Sequence, residues 1–151
     1  MLNNIPKILT GDMLKCLSDM GHGDILIIAD ANFPGERIAR STASGRLIRS
    51  QGCGASELFE AIAGLMPLDF DYTPFPACVM DLTPSDREKG MADSGIWSEF
   101  NDILRGLRSD ARLGMVEREE FYSRAEKAYA VIQTGEERIY GNLLLVKGCV
   151  L

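Results

Sequence analysis

Apolar positions recur along this chain with two periods that take turns. Behind Thr10, which can cap a helix, Met13, Leu14 and Leu17 form a helical stripe, and Gly21 suits its left-handed stop. Ile25–Ala29 is apolar at every position, the pattern of a strand covered on both faces. Asp30-Ala31-Asn32-Phe33-Pro34-Gly35 reads as a loop, and a short strand around Leu47 and Ile48 follows a stretch rich in Ser, Thr and Gly. Ser56 then caps a helix carrying Leu58, Phe59, Ile62 and Leu65, which Pro67 ends. Cys78-Val79-Met80 is a further buried strand, and residues 97–107 place Trp97, Phe100, Ile103 and Leu104 on one helical face. Met115-Val116 predicts a short strand, and residues 119–128 a helix with Phe121, Ala125 and Ala128 inward. Ala130-Val131-Ile132 and Leu143-Leu144-Leu145-Val146 follow as two strands joined through Thr134-Gly135-Glu136. Helices alternating with buried strands predict a three-layer α/β/α domain over residues 1–151, built on a central, largely buried sheet, mixed or parallel. No linker, low-complexity tract or internal repeat interrupts it.

Composition narrows the field of partners. With 151 residues, 46% of them hydrophobic, the chain is long enough to bury a substantial core. A formal net charge of −6 repels phosphate backbones and disfavours nucleic acid. No apolar run approaches the ~20 residues of a membrane span, and the start, Met1-Leu2-Asn3-Asn4-Ile5-Pro6-Lys7, lacks the shape of a signal peptide. Cys16, Cys53, Cys78 and Cys149 are scattered, with no C-x-x-C pair. They read as reduced thiols packed like small hydrophobes, neither a zinc site nor a disulfide frame. The expectation is a cytoplasmic protein without a metal.

Candidate chemistry centres on the one histidine, His22, held between glycines in Gly21-His22-Gly23-Asp24. Imidazole both gives and takes a proton near neutral pH, and a glycine-flanked turn can expose it to a ligand. The same tetrapeptide, taken alone, also reads as a plain surface turn. Nothing here forms a G-x-S-x-G elbow, and a lone histidine cannot serve a metal cluster. Gly52-Cys53-Gly54 lacks the rest of a phosphate loop and suits a strand-to-helix turn. The run Glu117-Arg118-Glu119-Glu120 reads as a solvated helix start, and Tyr122 and Tyr129 as half-buried packing residues.

Taken together, five motifs say more. Met20-Gly21-His22-Gly23-Asp24, Ala29-Asp30-Ala31-Asn32-Phe33-Pro34, Phe121-Tyr122-Ser123-Arg124-Ala125, Thr134-Gly135-Glu136 and Tyr140-Gly141-Asn142 resemble, in order and spacing, the L-fucose mutarotase family, which is akin to the D-ribose pyranases. The stretch Val79-Met80-Asp81-Leu82-Thr83-Pro84-Ser85-Asp86, with Trp97 following, resembles the longer members. Some relatives carry histidine where this chain has Asn32, and ribose-type relatives tend to carry histidine where it has Arg118. The second difference favours the fucose side.

The resemblance implies an isomerase that interconverts the α and β anomers of L-fucose or a similar monosaccharide, without a cofactor. General acid–base groups contribute about 10²–10⁴-fold to such ring opening, and orientation of the open chain the remainder. By resemblance His22 is the proton donor, and Asp69 and Tyr122 take part in proton transfer. Asp30, Arg118, Tyr140 and Asn142 match sugar-holding positions, and Met80 lines the pocket. Their carboxylates, guanidinium, phenol and amide supply the donors and acceptors that a ring of hydroxyls needs. Asp30 alone also suits an Asx-turn, Asn142 and Tyr140-Gly141 plain turn chemistry, and Asp69 a solvated loop. Two other readings stay open: a D-ribose pyranase-type pyranose/furanose interconversion, and a non-catalytic monosaccharide-binding protein.

One consequence is geometric. His22 precedes the Ile25–Ala29 strand and Asp30 follows it, so the two lie about 20 Å or more apart if the strand is straight. A monosaccharide cannot touch both. Either the chain bends sharply at Gly23, or the pocket combines residues of neighbouring subunits. The resemblance implies the second, a ring-like homo-oligomer with pockets at subunit contacts.

Overall fold

The structure is a computed structural model, and it describes residues 2–150. Twelve elements follow one another: α1 (Gly11–Asp19), β1 (Ile25–Ala29), α2 (Gly35–Ala39), β2 (Leu47–Ser50), α3 (Ala55–Ala63), β3 (Ala77–Met80), α4 (Pro84–Glu88), α5 (Ile96–Leu107), β4 (Gly114–Val116), α6 (Arg118–Glu126), β5 (Ala130–Thr134) and β6 (Leu143–Val146). The strands form one mixed sheet in the order β2-β5-β1-β6-β3-β4. Only β6 runs against its neighbours, pairing antiparallel with β1 and β3, while β1–β5, β2–β5 and β3–β4 are parallel.

The unbroken apolar run of β1 is explained by helices on both faces. Leu26 and Ile28 point into a core built with Met13 of α1, Leu58 and Phe59 of α3 and Phe100 and Leu104 of α5. Ile27 and Ala29 point the other way, into a second core with Ile38 of α2 and Phe121 and Ala125 of α6. Alternation of side chains along a strand thus feeds two layers, which is the expected α/β/α sandwich. Phe59 and Phe100 meet edge to face, with ring centroids 6.0 Å apart, where α3 and α5 pack.

Local readings fared unevenly. Thr10 caps α1 by accepting the Met13 amide at 3.3 Å. The left-handed residue after α1 is Gly23 (φ 82°), not Gly21, because the turn closes onto the sheet through Gly23 N–H donating to Lys147 O at 2.8 Å. Ser56 does not cap α3. Gly54 occupies that position, and the Ser56 hydroxyl donates to Glu99 instead. That helix ends at Ala63, leaving Leu65 40% exposed before Pro67. The last two strands are not neighbours, since β1 lies between β5 and β6. Helices α2 and α4, five residues each, were not expected from the apolar pattern, being too short to show a helical stripe. Cys16, Cys53 and Cys78 are buried as expected of small hydrophobes, but Cys149 is exposed. No helix among the described residues is long and apolar enough to cross a membrane.

Candidate active site

Strand direction decides which residues meet. The carboxyl ends of the parallel strands β1, β3, β4 and β5 share one edge of the sheet, and antiparallel β6 begins there. Residues just after β1, at the end of β3 and just after β4 therefore converge with residues just before β6. Open α/β sheets bind ligands at this edge. Here it holds a cavity of about 230 Å³ lined by Asp30, Met80, Arg118, Tyr122, Tyr140 and Asn142, together with Asn32, Phe33, Asp86, Met91 and Ile139. The volume lies below the roughly 300–1,000 Å³ of drug-sized pockets, so it suits a small ligand. A larger cleft of about 520 Å³ beside the N-terminal segment and α1 has Lys7 as its one ionisable lining residue and offers little chemistry.

Asp30 and Asn142 form the floor. Asn142 Oδ1 accepts the Asp30 backbone N–H at 2.9 Å, and Asn142 Nδ2 donates to Asp30 Oδ2 at 2.8 Å. Asp30 Oδ1 accepts the Asn32 N–H at 2.9 Å, so Asp30 does make the Asx-turn that its sequence suggested, and lines the cavity as well. Burial pushes its carboxyl above the ordinary carboxylate value, against the pull of the donors from Asn32 and Asn142. The loop beneath is tied by Gln133, whose Nε2 donates to Phe33 O at 2.8 Å and to Asp30 O at 3.2 Å. Glu136, also buried, accepts Arg138 Nε at 2.8 Å and the Ala55 N–H at 3.3 Å, anchoring the segment that carries Tyr140.

Aromatic and cationic groups make the wall. Tyr122 on α6 stacks on Phe33, with ring centroids 5.6 Å apart, and Arg118 lies over the Tyr122 ring at 5.8 Å. Among the described residues Arg118 pairs with no carboxylate and the Tyr122 hydroxyl has no hydrogen-bond partner, so both polar ends are free for a ligand. Tyr140 sits in the left-handed region (φ 62°), a strained backbone for a bulky residue. Trp97 Nε1 donates to its carbonyl at 3.0 Å, and the two rings meet edge to face.

His22 and Asp69 are found at the other end of the sheet. Nε2 of His22 lies 3.4 Å from Asp69 Oδ1, and its ring packs on Tyr72 with centroids 5.2 Å apart. Burial works against the Asp69 charge, but donors from Thr73 Oγ1, His22 and the Tyr72 N–H outweigh it and hold the carboxyl below its ordinary value. The imidazole itself is 43% exposed. Its turn does not fold back toward Asp30, and β1 alone spans about 13 Å. Within one chain, then, six of the eight sequence-derived residues come together, and His22 and Asp69 form a separate pair. Asp86 was given no role from sequence, although Thr83-Pro84-Ser85-Asp86 is a capping pattern: Thr83 Oγ1 accepts the Asp86 N–H at 3.2 Å. Gln133 was missed too, its signal being one amide inside a fully buried strand.

Such a cavity, small, concave and lined by mixed donors and acceptors on a mixed α/β sheet, is of the kind that takes a small polar ligand. Comparison with known proteins agrees. The family described as RbsD / FucU transport protein matches residues 3–150, and the chain belongs to it. It is 44% identical over 147 residues to the human "Fucose mutarotase", covering 97% of this chain and 93% of that one. It is 35% identical to "L-fucose mutarotase" of Actinobacillus pleuropneumoniae, covering 98% and 96%. Among solved structures, the fucose mutarotase of Streptococcus pneumoniae in complex with L-fucose is 37% identical, with a TM-score of 0.87 over 99% of this chain and all of that one.

Proposed function

We propose that the chain is an isomerase that interconverts the α and β anomers of L-fucose. The observation that carries this reading is the convergence of Asp30, Arg118, Tyr122, Tyr140 and Asn142 on one cavity, in a chain so similar to fucose mutarotases. Asp30 and the Tyr140 oxygen accept hydrogen bonds from sugar hydroxyls, Arg118 donates, and Met80 and Phe33 offer apolar surface to the rest of the ring. Arg118 also stands where histidine would favour the ribose-type reaction.

Opening the ring needs a proton on the endocyclic oxygen and loss of one from the anomeric hydroxyl. The C1–O5 bond then breaks, the aldehyde turns over, and reclosure returns both protons. Tyr122, whose hydroxyl is free, is one group of this kind inside the cavity. His22, held by Asp69 through Nε2, is the donor that the cavity lacks, and a second copy of the chain supplies it. The assembly is therefore a homo-oligomer, ring-like, with each pocket shared between neighbours. NMR saturation transfer between the anomer signals of L-fucose tests the reading. The protein is expected to exchange magnetisation far above the spontaneous rate, and His22→Ala to lose that excess. Binding of L-fucose without faster exchange would leave a carrier of the sugar, and faster exchange for D-ribose alone would leave a pyranase.

A further inference from the structure

The residues between β3 and α5 form a strap over the cavity. Its helix α4 has no buried residue, and its turns include left-handed Gly90, Ser94 and Gly95. Apolar packing therefore does little to hold the strap down. Beyond the Asp81 N–H, which donates to Val116 O at 2.8 Å where the strap leaves β3, what fastens it at the cavity is one hydroxyl. The Tyr140 hydroxyl donates to Asp86, and the Thr83 N–H donates to the Tyr140 oxygen at 3.3 Å. Asp86 and Met91 of the strap both reach the cavity wall. The Asp86 carboxylate faces Lys89 at 3.8 Å from its own segment and Arg118 and Tyr140 from the body.

A phenol has one proton to donate, and its oxygen also accepts. With the proton committed to Asp86, the oxygen can meet a sugar only by accepting, in competition with the long 3.3 Å bond from the Thr83 N–H. Resting on the proposed function, we infer that Asp86 is a positioning residue for sugar recognition: it claims the Tyr140 proton, so that Tyr140 selects a donating sugar hydroxyl, and it closes the strap over the bound ring. Because α4 buries nothing, changing Asp86 should leave the fold intact, and because Asp86 acts through Tyr140, its loss should be felt only where Tyr140 keeps its hydroxyl.

A double-mutant cycle on the full-length protein tests this, with the KM, kcat and Kd for L-fucose as readouts. Asp86→Ala is expected to raise KM and Kd about five- to tenfold while kcat changes less than about twofold. Asp86→Asn keeps an oxygen for the phenol proton and should retain most of the parent's affinity. In a Tyr140→Phe background, Asp86→Ala should add almost nothing. A second readout needs no sugar: the Tyr140 hydroxyl proton, held against Asp86, should exchange slowly enough with water to give a proton NMR signal that Tyr140→Phe and Asp86→Ala each remove. It judges the link even if the parent fails to turn L-fucose over, a failure that would sink the proposed function instead. Unchanged affinity in Asp86→Ala, a loss confined to kcat, additive losses in the double variant, or a hydroxyl signal indifferent to Asp86 would each overturn the inference.

Discussion

Asp30 and Asn142, 112 residues apart in the chain, face each other where β1 ends and β6 begins and exchange two hydrogen bonds, backbone N–H to amide oxygen at 2.9 Å and amide nitrogen to carboxylate at 2.8 Å. Each is also a wall of the cavity. The pair thus ties the antiparallel entry of β6 to the ligand end of the sheet. Removing the amide leaves a buried carboxylate oxygen without its donor, a loss of about 1–3 kcal/mol. Asn142→Ala should therefore lower the urea midpoint and weaken L-fucose binding together. A variant that loses binding at an unchanged midpoint would show that Asn142 serves the ligand alone.

The approach of two loops gives a second prediction. A Cβ on Gly135 would fall on the carbonyl oxygen of Gln51 and 3.2 Å from its carbon, both backbone atoms with no flexible end to yield. The loop after β5 sits this close because Gly135 N–H donates to Cys53 O at 3.0 Å. Gly135→Ala should push the loop outward at a cost of roughly 1–3 kcal/mol. Since Glu136 and Tyr140 ride on the same loop, KM should rise with it. Urea titration beside steady-state kinetics measures both, and an unchanged KM would mean that the loop relaxes without moving the wall.

These two cases show what could and could not be read from sequence. β1 was legible to the residue because burial on both faces leaves no polar position in it. Asp30, Tyr140 and Asn142 were legible as turn residues and as matches to family motifs, but nothing local says that they touch. That depends on β6 running antiparallel between two strands of the opposite sense. Helix α4 buries no side chain, so no apolar stripe marked it, and Asp86, although it stands in a motif shared with the longer relatives, received no role from sequence. Of the two glycines flanking His22, the helix-stop pattern pointed to Gly21, whereas the left-handed residue is Gly23, because the choice is made by a hydrogen bond from Gly23 to Lys147 just beyond β6.

The His22–Asp69 pair predicts a dependence on pH. Hydrogen bonds hold the Asp69 carboxyl below its ordinary value of 3.8 in the folded protein. A depressed carboxylate contributes stability that is fully present above its unfolded pKa and is lost as pH falls through the folded one. The stability gap between the parent and Asp69→Asn should therefore stay wide near neutral pH and narrow once the pH drops below about 4. Urea melts across that window measure it. A gap that holds constant down to about pH 3 would show that the donors to Asp69 contribute through shape and not through its charge.

Sharing of the pocket can be tested without a structure of the assembly. If each pocket takes its wall from one copy and its imidazole from another, His22→Ala and Asp30→Ala damage different contributions to the same site. Each variant alone builds only broken pockets. In a randomly exchanged equal mixture, a pocket is intact when its wall comes from the His22→Ala chain and its dyad from the Asp30→Ala chain. The two events have odds of one half each, so roughly one quarter of the parent's turnover should return. The doubly substituted chain mixed with the parent controls for exchange, since it too leaves roughly a quarter of pockets whole. A mixture of the single variants that stays dead while that control behaves would place His22 and Asp30 in one chain's service, and the geometry of β1 would then demand a rearrangement of the turn at Gly23.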